Sequence, residues 1–315
     1  MSPNSKTSSG GTIFRLIALP ISLKMHVAHL ILTYTDPRLT ERLIRKIQHR
    51  NADFYIHVDK KNDINPYLYL NGFSNVYFIK NRTDLKWAGF STVLATFCCI
   101  KEIVSSGAEY AFINLLSGQD YPLKRANEIN DFFQKNIGRE FLSYRDFKTN
   151  WKEGLIRMES YFFNDYQFTG KYLLEKILKI ILPKRKIPND LHPYGNSMFW
   201  MLSPEAALYV VNTVEGDRKL RRFLSFCWGT DEFVFQTILL NSVYKDRIVN
   251  TNHRYIDWSA GGARPKTLDL SDAMSLLKSD MLFARKFDMI RQPEIIDFID
   301  KQILSNGESH NRTNL

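Results

Sequence analysis

Short apolar runs alternate with amphipathic segments through the first half of the chain. The apolar runs predict strands at residues 26–34, 53–59, 75–80 and 109–117. The segments at residues 37–49 and 91–104 instead repeat their apolar positions at helical spacing. Strands that alternate with helices across short loops favour an α/β fold, with a mostly parallel sheet and helices on both of its faces.

The second half of the chain is less regular but still predicts several elements. Residues 196–203 indicate a strand that ends at the Ser-Pro start of a helix over residues 204–214. Residues 230–242 predict a further helix with Thr230 as its N-cap, and residues 293–304 predict a closing helix. Neither an internal repeat nor a linker divides the sequence, so we expect a single compact domain.

The two ends of the sequence differ from the rest. Residues 1–24 begin Ser/Gly-rich and continue as an apolar stretch that is shorter than the about 20 residues needed to span a bilayer. We expect a disordered or poorly packed leader there, with a degenerate signal-like segment as the alternative. The ordered domain is predicted at residues 25–305, followed by a disordered tail at 306–315.

Composition limits the possible classes of protein. Of 315 residues, 44% are apolar and 24% are charged, which excludes long disorder, a collagen-like repeat and a membrane bundle. Lys and Arg outnumber Asp and Glu by 43 to 33, a net charge of +10 that suits nucleic acid, an anionic membrane surface or a phosphorylated ligand. The three cysteines include no CxxC pair, so we expect no structural zinc, and their odd, sparse number indicates reduced thiols in a cytosolic compartment.

Common nucleotide-binding motifs are missing from the sequence. It contains no GxGxxG and no GxxxxGK[ST], and no D-x-D pair that would hold a divalent cation against a diphosphate. The consecutive cations Arg285 and Lys286, in FARKF, are the best substitute, because an Arg fork and a Lys charge can match diphosphate oxygens without metal. A solvated helix end with two surface charges is the alternative.

Several further candidates lie near predicted strand ends, where ligands bind on parallel sheets. Asp59, in HVDKK, is placed to accept a hydrogen bond from a uracil N–H, and Asp120, in LLSGQDYPL, to bond sugar hydroxyls. Arg254, in HRYIDW, is a candidate third cation, and Trp200, in GNSMFWMLS, offers a plane for stacking on a sugar. Ordinary polar loops and a buried core Trp are the alternatives.

One candidate for proton transfer lies in GTDEFVFQT. Asp231 and Glu232 stand in the first turn of the predicted helix, where carboxylates also favour the helix dipole without any further role. The functional interpretation makes Glu232 a general base that removes a proton from an acceptor hydroxyl. Asp231 is the competing candidate.

The order of these motifs, together with KWAGFS at residues 86–91, resembles the core-2/I-branching glycosyltransferase family. That family includes branching β-1,6-N-acetylglucosaminyltransferases and peptide O-xylosyltransferases, and the similarity runs from about residue 25 to 288. It implies a GT-A fold, with a Rossmann-like nucleotide-binding half at about 25–140 joined to an acceptor half at about 141–305. It also implies an inverting, metal-independent enzyme that uses a UDP-sugar as co-substrate and needs no other cofactor.

The resemblance also implies roles for individual residues. Glu232 corresponds to the catalytic base and Asp59 to a uracil contact, whereas Asp120 and Trp200 fall in sugar-site motifs. Three cations are implied to take the place of the metal at the diphosphate: Arg254, Arg285 and Lys286. The implied reaction moves N-acetylglucosamine or xylose to a hydroxyl of a glycan, a lipid-linked saccharide or a peptide.

A different class of function stays open. Residues 171–186 place lysines around an apolar stripe, so the alternative is a non-catalytic basic protein that binds a membrane surface through this segment. Animal members of the family are luminal, with an anchor and many disulfides, whereas this sequence suggests neither. We therefore expect a cytoplasmic location with peripheral contact at the inner membrane face, and no nucleic-acid partner.

Overall fold

A computed structural model describes the backbone of residues 25–308 and the side chains of residues 25–302. The predicted leader at 1–24 and the last part of the predicted tail, 309–315, lie outside these residues. A seven-stranded sheet forms the centre of the protein, in the order β3-β2-β1-β4-β7-β6-β8. Its strands are β1 Val27–Thr33, β2 Ala52–Val58, β3 Val76–Phe78, β4 Phe112–Ser117, β6 Glu140–Asp146, β7 Tyr194–Leu202 and β8 Ile248–Val249.

Most neighbouring strands of this sheet are parallel. The first four strands of the order pair in parallel, while β7 runs antiparallel to β4 and to β6. The helices are α1 Pro37–Ile47, α2 Phe90–Val104, α3 Ala126–Lys135, α4 Lys152–Glu159, α5 Lys171–Ile181, α6 Pro204–Gly216, α7 Arg218–Leu224, α8 Val234–Leu240, α9 Ala273–Leu277 and α10 Pro293–Glu308. The predicted α/β architecture is confirmed.

The sheet separates two hydrophobic cores. Side chains alternate across a strand, so Ala28 and Leu30 of β1 enter one core while Val27 and Ile31 enter the other. Helices α2, α6, α7 and α8 cover the first core, and α1, α3, α9 and α10 cover the second. Burial on both faces explains why the parallel strands read as continuous apolar runs in the sequence.

A second, three-stranded sheet joins distant parts of the chain. Its strands are β5 Asp120–Pro122, β10 Phe283–Arg285 and β9 Arg254–Ile256, in the order β5-β10-β9. Strand β10 pairs antiparallel with β5, which places Arg285 opposite Asp120. The FARKF segment is therefore a short strand and not the solvated helix end that was its alternative.

Of the two predicted N-caps, the one for α6 is confirmed and the one for α8 is wrong. Ser203 caps α6 as predicted, because its Oγ accepts a hydrogen bond from the backbone N–H of Ala206 at 3.2 Å. Thr230, in contrast, is not an N-cap: its hydroxyl donates to the carbonyl of Leu224 at 3.1 Å. A 3₁₀ turn over Thr230–Glu232 precedes Phe233, whose φ of −141° is not helical, so α8 begins only afterwards.

Trp200 requires a correction of its predicted role. It lies on a central strand and is fully buried, with its ring 4.8 Å from the ring of Phe235. No face of the indole is available for stacking on a sugar, so Trp200 is a core residue. At the C-terminus, α10 continues to Glu308, so residues 306–308 of the predicted disordered tail are helical.

We expect Trp200→Ala to lower the free energy of unfolding by about 3–5 kcal/mol, because it removes the largest fully buried side chain and leaves a cavity. Urea denaturation followed by circular dichroism measures this change. Trp258, which is 52% exposed, is the control: its substitution by Ala changes the free energy of unfolding by about 0.5 kcal/mol or less. Equal stability of the two variants would contradict the assignment of Trp200 to the core.

Candidate active site

The predicted site residues of the first half meet at the carboxyl edge of the parallel strands. Asp59 directly follows β2, and its N–H donates to the carbonyl of Thr33 at 2.9 Å. Gly118 directly follows β4, and its N–H donates to the carbonyl of Leu32 at 2.9 Å. The loops after β2 and β4 therefore flank the end of β1 and form one edge, where ligands bind on sheets of this kind.

Asp59 is held rigidly at this edge. It is only 3% exposed, and its Oδ1 accepts hydrogen bonds from the backbone N–H groups of Lys61 at 3.1 Å and Leu85 at 3.3 Å. Its Oδ2 lies 3.4 Å from the Lys61 ammonium. The carboxylate thus ties the loop after β2 to the loop that contains Leu85, and Oδ2 is its less engaged oxygen.

Asp120 is buried and organises the cations around it. Its Oδ1 accepts from the Ser117 hydroxyl at 2.8 Å and lies 3.3 Å from Arg285 Nε, while its Oδ2 accepts from the Ser117 N–H at 2.9 Å. Both oxygens are engaged, and the residue has no exposed surface. We therefore correct the predicted contact of Asp120 with sugar hydroxyls: this carboxylate positions Arg285.

Arg254 is likewise not the third diphosphate cation that the resemblance implied. Its side chain is fully buried, and its guanidinium donates to the carbonyl of Asn252 at 2.7 Å, to Asn114 Oδ1 at 2.7 Å and to the carbonyl of Leu115 at 2.5 Å. Burial lowers the pKa of Arg254 to about 10, so it stays cationic at neutral pH and balances Asp120, which lies 3.9 Å away. Its role is to join β9 to β4.

Arg285 and Lys286 remain as cations available to a ligand. The Arg285 guanidinium lies 4.3 Å over the Phe199 ring, and its side chain keeps 17% of its surface exposed. Burial and the positive charges of Arg264 and Arg285 lower the pKa of Lys286. Within residues 25–302, the Lys286 ammonium forms no hydrogen bond and no ion pair. Partly desolvated, unneutralised positive charge of this kind favours an anionic ligand.

Glu232 lies on the 3₁₀ turn that precedes α8. Gly229 enters this turn with φ of +62°, a left-handed conformation that favours glycine, and its N–H donates to the carbonyl of Ala88 at 2.9 Å. The Glu232 side chain is 31% exposed and contacts the guanidinium of Arg157. Burial and the charge of Glu232 raise the pKa of the neighbouring Asp231 to about 7.

Arg157 is a residue that the sequence analysis missed. It belongs to α4, and its guanidinium lies 4.7 Å from the ring centre of Trp151 and 4.4 Å from that of Trp228. The two aromatic faces and the Glu232 carboxylate hold the cation in one position. No local motif marks Arg157, because two of its partners, Trp228 and Glu232, lie more than 70 residues further along the chain.

Strand β7 approaches both the turn over Thr230–Glu232 and the side chain of Arg285. A Cβ placed on Gly195 would lie 2.8 Å from the carbonyl oxygen of Glu232, and the ring four residues further along β7, Phe199, lies under Arg285. A strand rises by about 3.3 Å per residue, so these two positions of β7 lie about 13 Å apart along the strand. The backbone of Glu232 and the side chain of Arg285 therefore both approach β7, at positions on the same face of the strand and four residues apart.

Replacing Asp120 by Asn should destabilise the protein by about 3 kcal/mol, because it leaves the buried Arg254 without a counter-charge. Chemical denaturation measures the difference. The matched control is Glu215→Gln, which breaks an exposed ion pair with Lys101 and should cost less than about 1 kcal/mol. If both variants unfold at the same denaturant concentration, Asp120 does not organise the cations as described.

Comparisons with known proteins identify the family of this chain. The sequence profile of the family described as Core-2/I-Branching enzyme matches residues 27–279. The chain is 25% identical over 290 residues to Xylosyltransferase 2 of Homo sapiens. The aligned region covers 84% of this chain and 32% of that protein. It is 24% identical over 282 residues to Xylosyltransferase oxt of Drosophila pseudoobscura pseudoobscura, and this aligned region covers 80% of this chain and 30% of that protein.

The chain thus spans roughly a third of the length of these curated relatives. The crystal structure of mouse Xyloside xylosyltransferase 1 in its apo form superposes with a TM-score of 0.40 and 11% identity, over 82% of this chain and 97% of that one. The family profile covers most of the sequence, which confirms the family predicted from the motifs. The chain belongs to the Core-2/I-Branching enzyme family.

Proposed function

We propose that this protein is an inverting glycosyltransferase that works without a divalent metal. It would move a sugar from a UDP-sugar to an acceptor hydroxyl on a glycan, a lipid-linked saccharide or a peptide. One observation carries the proposal: Arg285, a cation available to a ligand and followed by Lys286, contacts the strand β7 through Phe199, and the backbone of Glu232 approaches the same strand at Gly195. Membership of the family and the named xylosyltransferase relatives support the same class of reaction.

The proposed reaction must stabilise charge on the diphosphate and remove a proton from the acceptor, and different residues perform these two tasks. The departing diphosphate gains negative charge, which Arg285 stabilises with a guanidinium fork and Lys286 with a point charge. The acceptor hydroxyl must lose a proton as its oxygen attacks the anomeric carbon, and Glu232 takes that proton. Attack from the side opposite the diphosphate inverts the anomeric centre.

The nucleotide end of the donor is proposed to lie at Asp59. Its Oδ2 is the less engaged carboxylate oxygen and can accept a hydrogen bond from the uracil N–H. Both xylose and N-acetylglucosamine stay candidates for the transferred sugar, and the names of the relatives favour xylose. The cytoplasmic location expected from the sequence stays a prediction.

Asp231 is the second candidate for the base. Its pKa of about 7 lies near the pH at which a general base is most effective, whereas Glu232 is paired with Arg157. We favour Glu232, because its side chain reaches the surface beside Arg157, and because the resemblance to the family assigns the base to this position.

Glu232→Gln should lower donor turnover by about 10²–10⁴-fold, because the amide cannot take up the proton. Turnover is measured as UDP release from UDP-xylose and from UDP-N-acetylglucosamine, with water or a panel of glycosides as acceptor. Calorimetric UDP binding should stay within about threefold of wild type, since the proposed base acts on the acceptor. Asp231→Asn is the matched control and should keep most of the turnover; the reverse pattern would assign the base to Asp231.

Chelation of divalent metals should leave the turnover unchanged. The diphosphate is proposed to be held by Arg285 and Lys286, so UDP release in excess EDTA should equal that in untreated protein. Arg285→Gln with Lys286→Gln should in contrast weaken UDP binding by about tenfold or more. Activity that disappears in EDTA and returns with manganese would overturn the role of the cations.

A further inference from the structure

Helix α5 exposes an unusual amount of apolar surface. None of its residues is buried, and Leu173, Ile180 and Ile181 keep 62%, 83% and 65% of their surface in solvent. At 100° per residue, the apolar side chains fall on one side of the helix: Leu173, Leu174, Ile177, Leu178, Ile180 and Ile181. An exposed apolar stripe of this kind marks a surface that contacts something else.

Positive charge accompanies this stripe. Lys176 and Lys179 lie on the polar side of the helix, and among the described side chains neither forms a hydrogen bond or an ion pair. The one acidic residue of α5, Glu175, is engaged elsewhere, because its Oε1 accepts from the backbone N–H of Phe163 at 2.8 Å. The outer surface of α5 is therefore apolar and cationic.

Hydrogen bonds connect α5 and the segment after it to the body of the protein. Glu175 attaches one side of α5 to Phe163, and beyond the end of the helix the Arg185 guanidinium donates to the carbonyls of Phe226 at 2.9 Å and Ser160 at 3.1 Å. Glu175 lies about 160° around the helix from Ile177, so the apolar stripe faces away from Phe163 while this hydrogen bond is formed. Exposure of the stripe is thus a property of the fold.

The segment before α5 shares a hydrogen-bond acceptor with the turn that carries Glu232. Asn164 Nδ2 donates to the carbonyl of Ala88 at 2.9 Å, the same carbonyl that accepts the N–H of Gly229, three residues before Glu232. Asp165 accepts from the N–H groups of Phe90 at 2.7 Å and Ser91 at 3.2 Å, at the start of α2. The support of α5 is therefore part of the scaffold of the candidate active site.

We propose that α5 binds flat on an anionic lipid bilayer, with its apolar stripe among the acyl chains and its lysines at the head groups. The combination favours lipid over a protein partner or a second copy, because a bilayer matches both the apolar area and the unpaired positive charge, whereas a second α5 would bring like charges together. If the proposed glycosyl transfer holds, membrane contact through α5 suits a lipid-linked acceptor.

The test is co-sedimentation of the full chain with vesicles of phosphatidylcholine alone and with 30% phosphatidylglycerol. Binding to the anionic vesicles should exceed binding to the neutral ones by about tenfold at low salt and should weaken as salt screens the lysines. Ile180→Ser with Ile181→Ser should lower binding to anionic vesicles by about tenfold or more. Lys176→Gln with Lys179→Gln should remove most of the preference for anionic lipid.

Two control variants match these substitutions elsewhere on the surface. Val243→Ser with Ile137→Ser removes exposed apolar residues outside α5, and Lys219→Gln with Lys245→Gln removes exposed lysines; both should bind vesicles like wild type. Circular dichroism confirms that each variant is folded. UDP release without vesicles, measured on the same samples, tests the proposed function separately from the membrane contact.

Absence of vesicle binding by the wild type would overturn the proposal. So would equal loss of binding in the α5 and control variants, since it would mean that lipid contacts the surface non-specifically. A second copy of the chain is the other partner that could cover the stripe, and analytical ultracentrifugation tests for it. The stripe would be assigned to a second copy if the wild type binds no vesicles and forms a dimer that Ile180→Ser with Ile181→Ser dissociates.

Discussion

The candidate site depends on a buried carboxylate, Asp120, placed between two arginines. The oxygens of Asp120 are held by the N–H and hydroxyl of Ser117, at the end of β4, and face the Nε atoms of Arg254 and Arg285. Burying one carboxylate beside two guanidinium groups leaves an excess of positive charge, and the buried Nε atoms of Arg254 and Arg285 form no hydrogen bond with the described residues. The small second sheet provides this arrangement, because it pairs β5 with β10 and β10 with β9.

The two arginines differ in how accessible their guanidinium groups are to a ligand. Arg254 uses its guanidinium donors on Asn114, Asn252 and Leu115 and cannot reach a ligand. Arg285 contacts the same carboxylate from the outer side and keeps part of its surface in solvent, next to the unpaired Lys286. A fixed, partly desolvated pair of cations can stabilise a diphosphate with little reorganisation, which is the property that the proposed reaction requires.

Glu232 and the segment that leads into α5 are also held in place by contacts with other parts of the chain. Glu232 is held by Arg157, which in turn is held by Trp151 and Trp228, so the position of the proposed base is set by two segments of chain, residues 151–157 and 228–232. The segment that leads into α5 bonds to the same carbonyl, that of Ala88, as the turn carrying Glu232. Membrane contact through α5 and chemistry at Glu232, if both hold, would therefore share one piece of scaffold.

The sequence by itself determined the alternation of strands and helices, the cap at Ser203 and the family, because local periodicity and short motifs carry that information. It also identified Arg285, Lys286, Glu232 and Asp59 as candidates by residue type. Only the tertiary structure decided that Trp200 is core, that Arg254 and Asp120 are buried and engaged, that Thr230 bonds to Leu224, and that Arg157 meets Glu232. The physical reason is that burial and pairing depend on residues far apart in the chain, such as Asp120 and Arg285, whose contact no local pattern records.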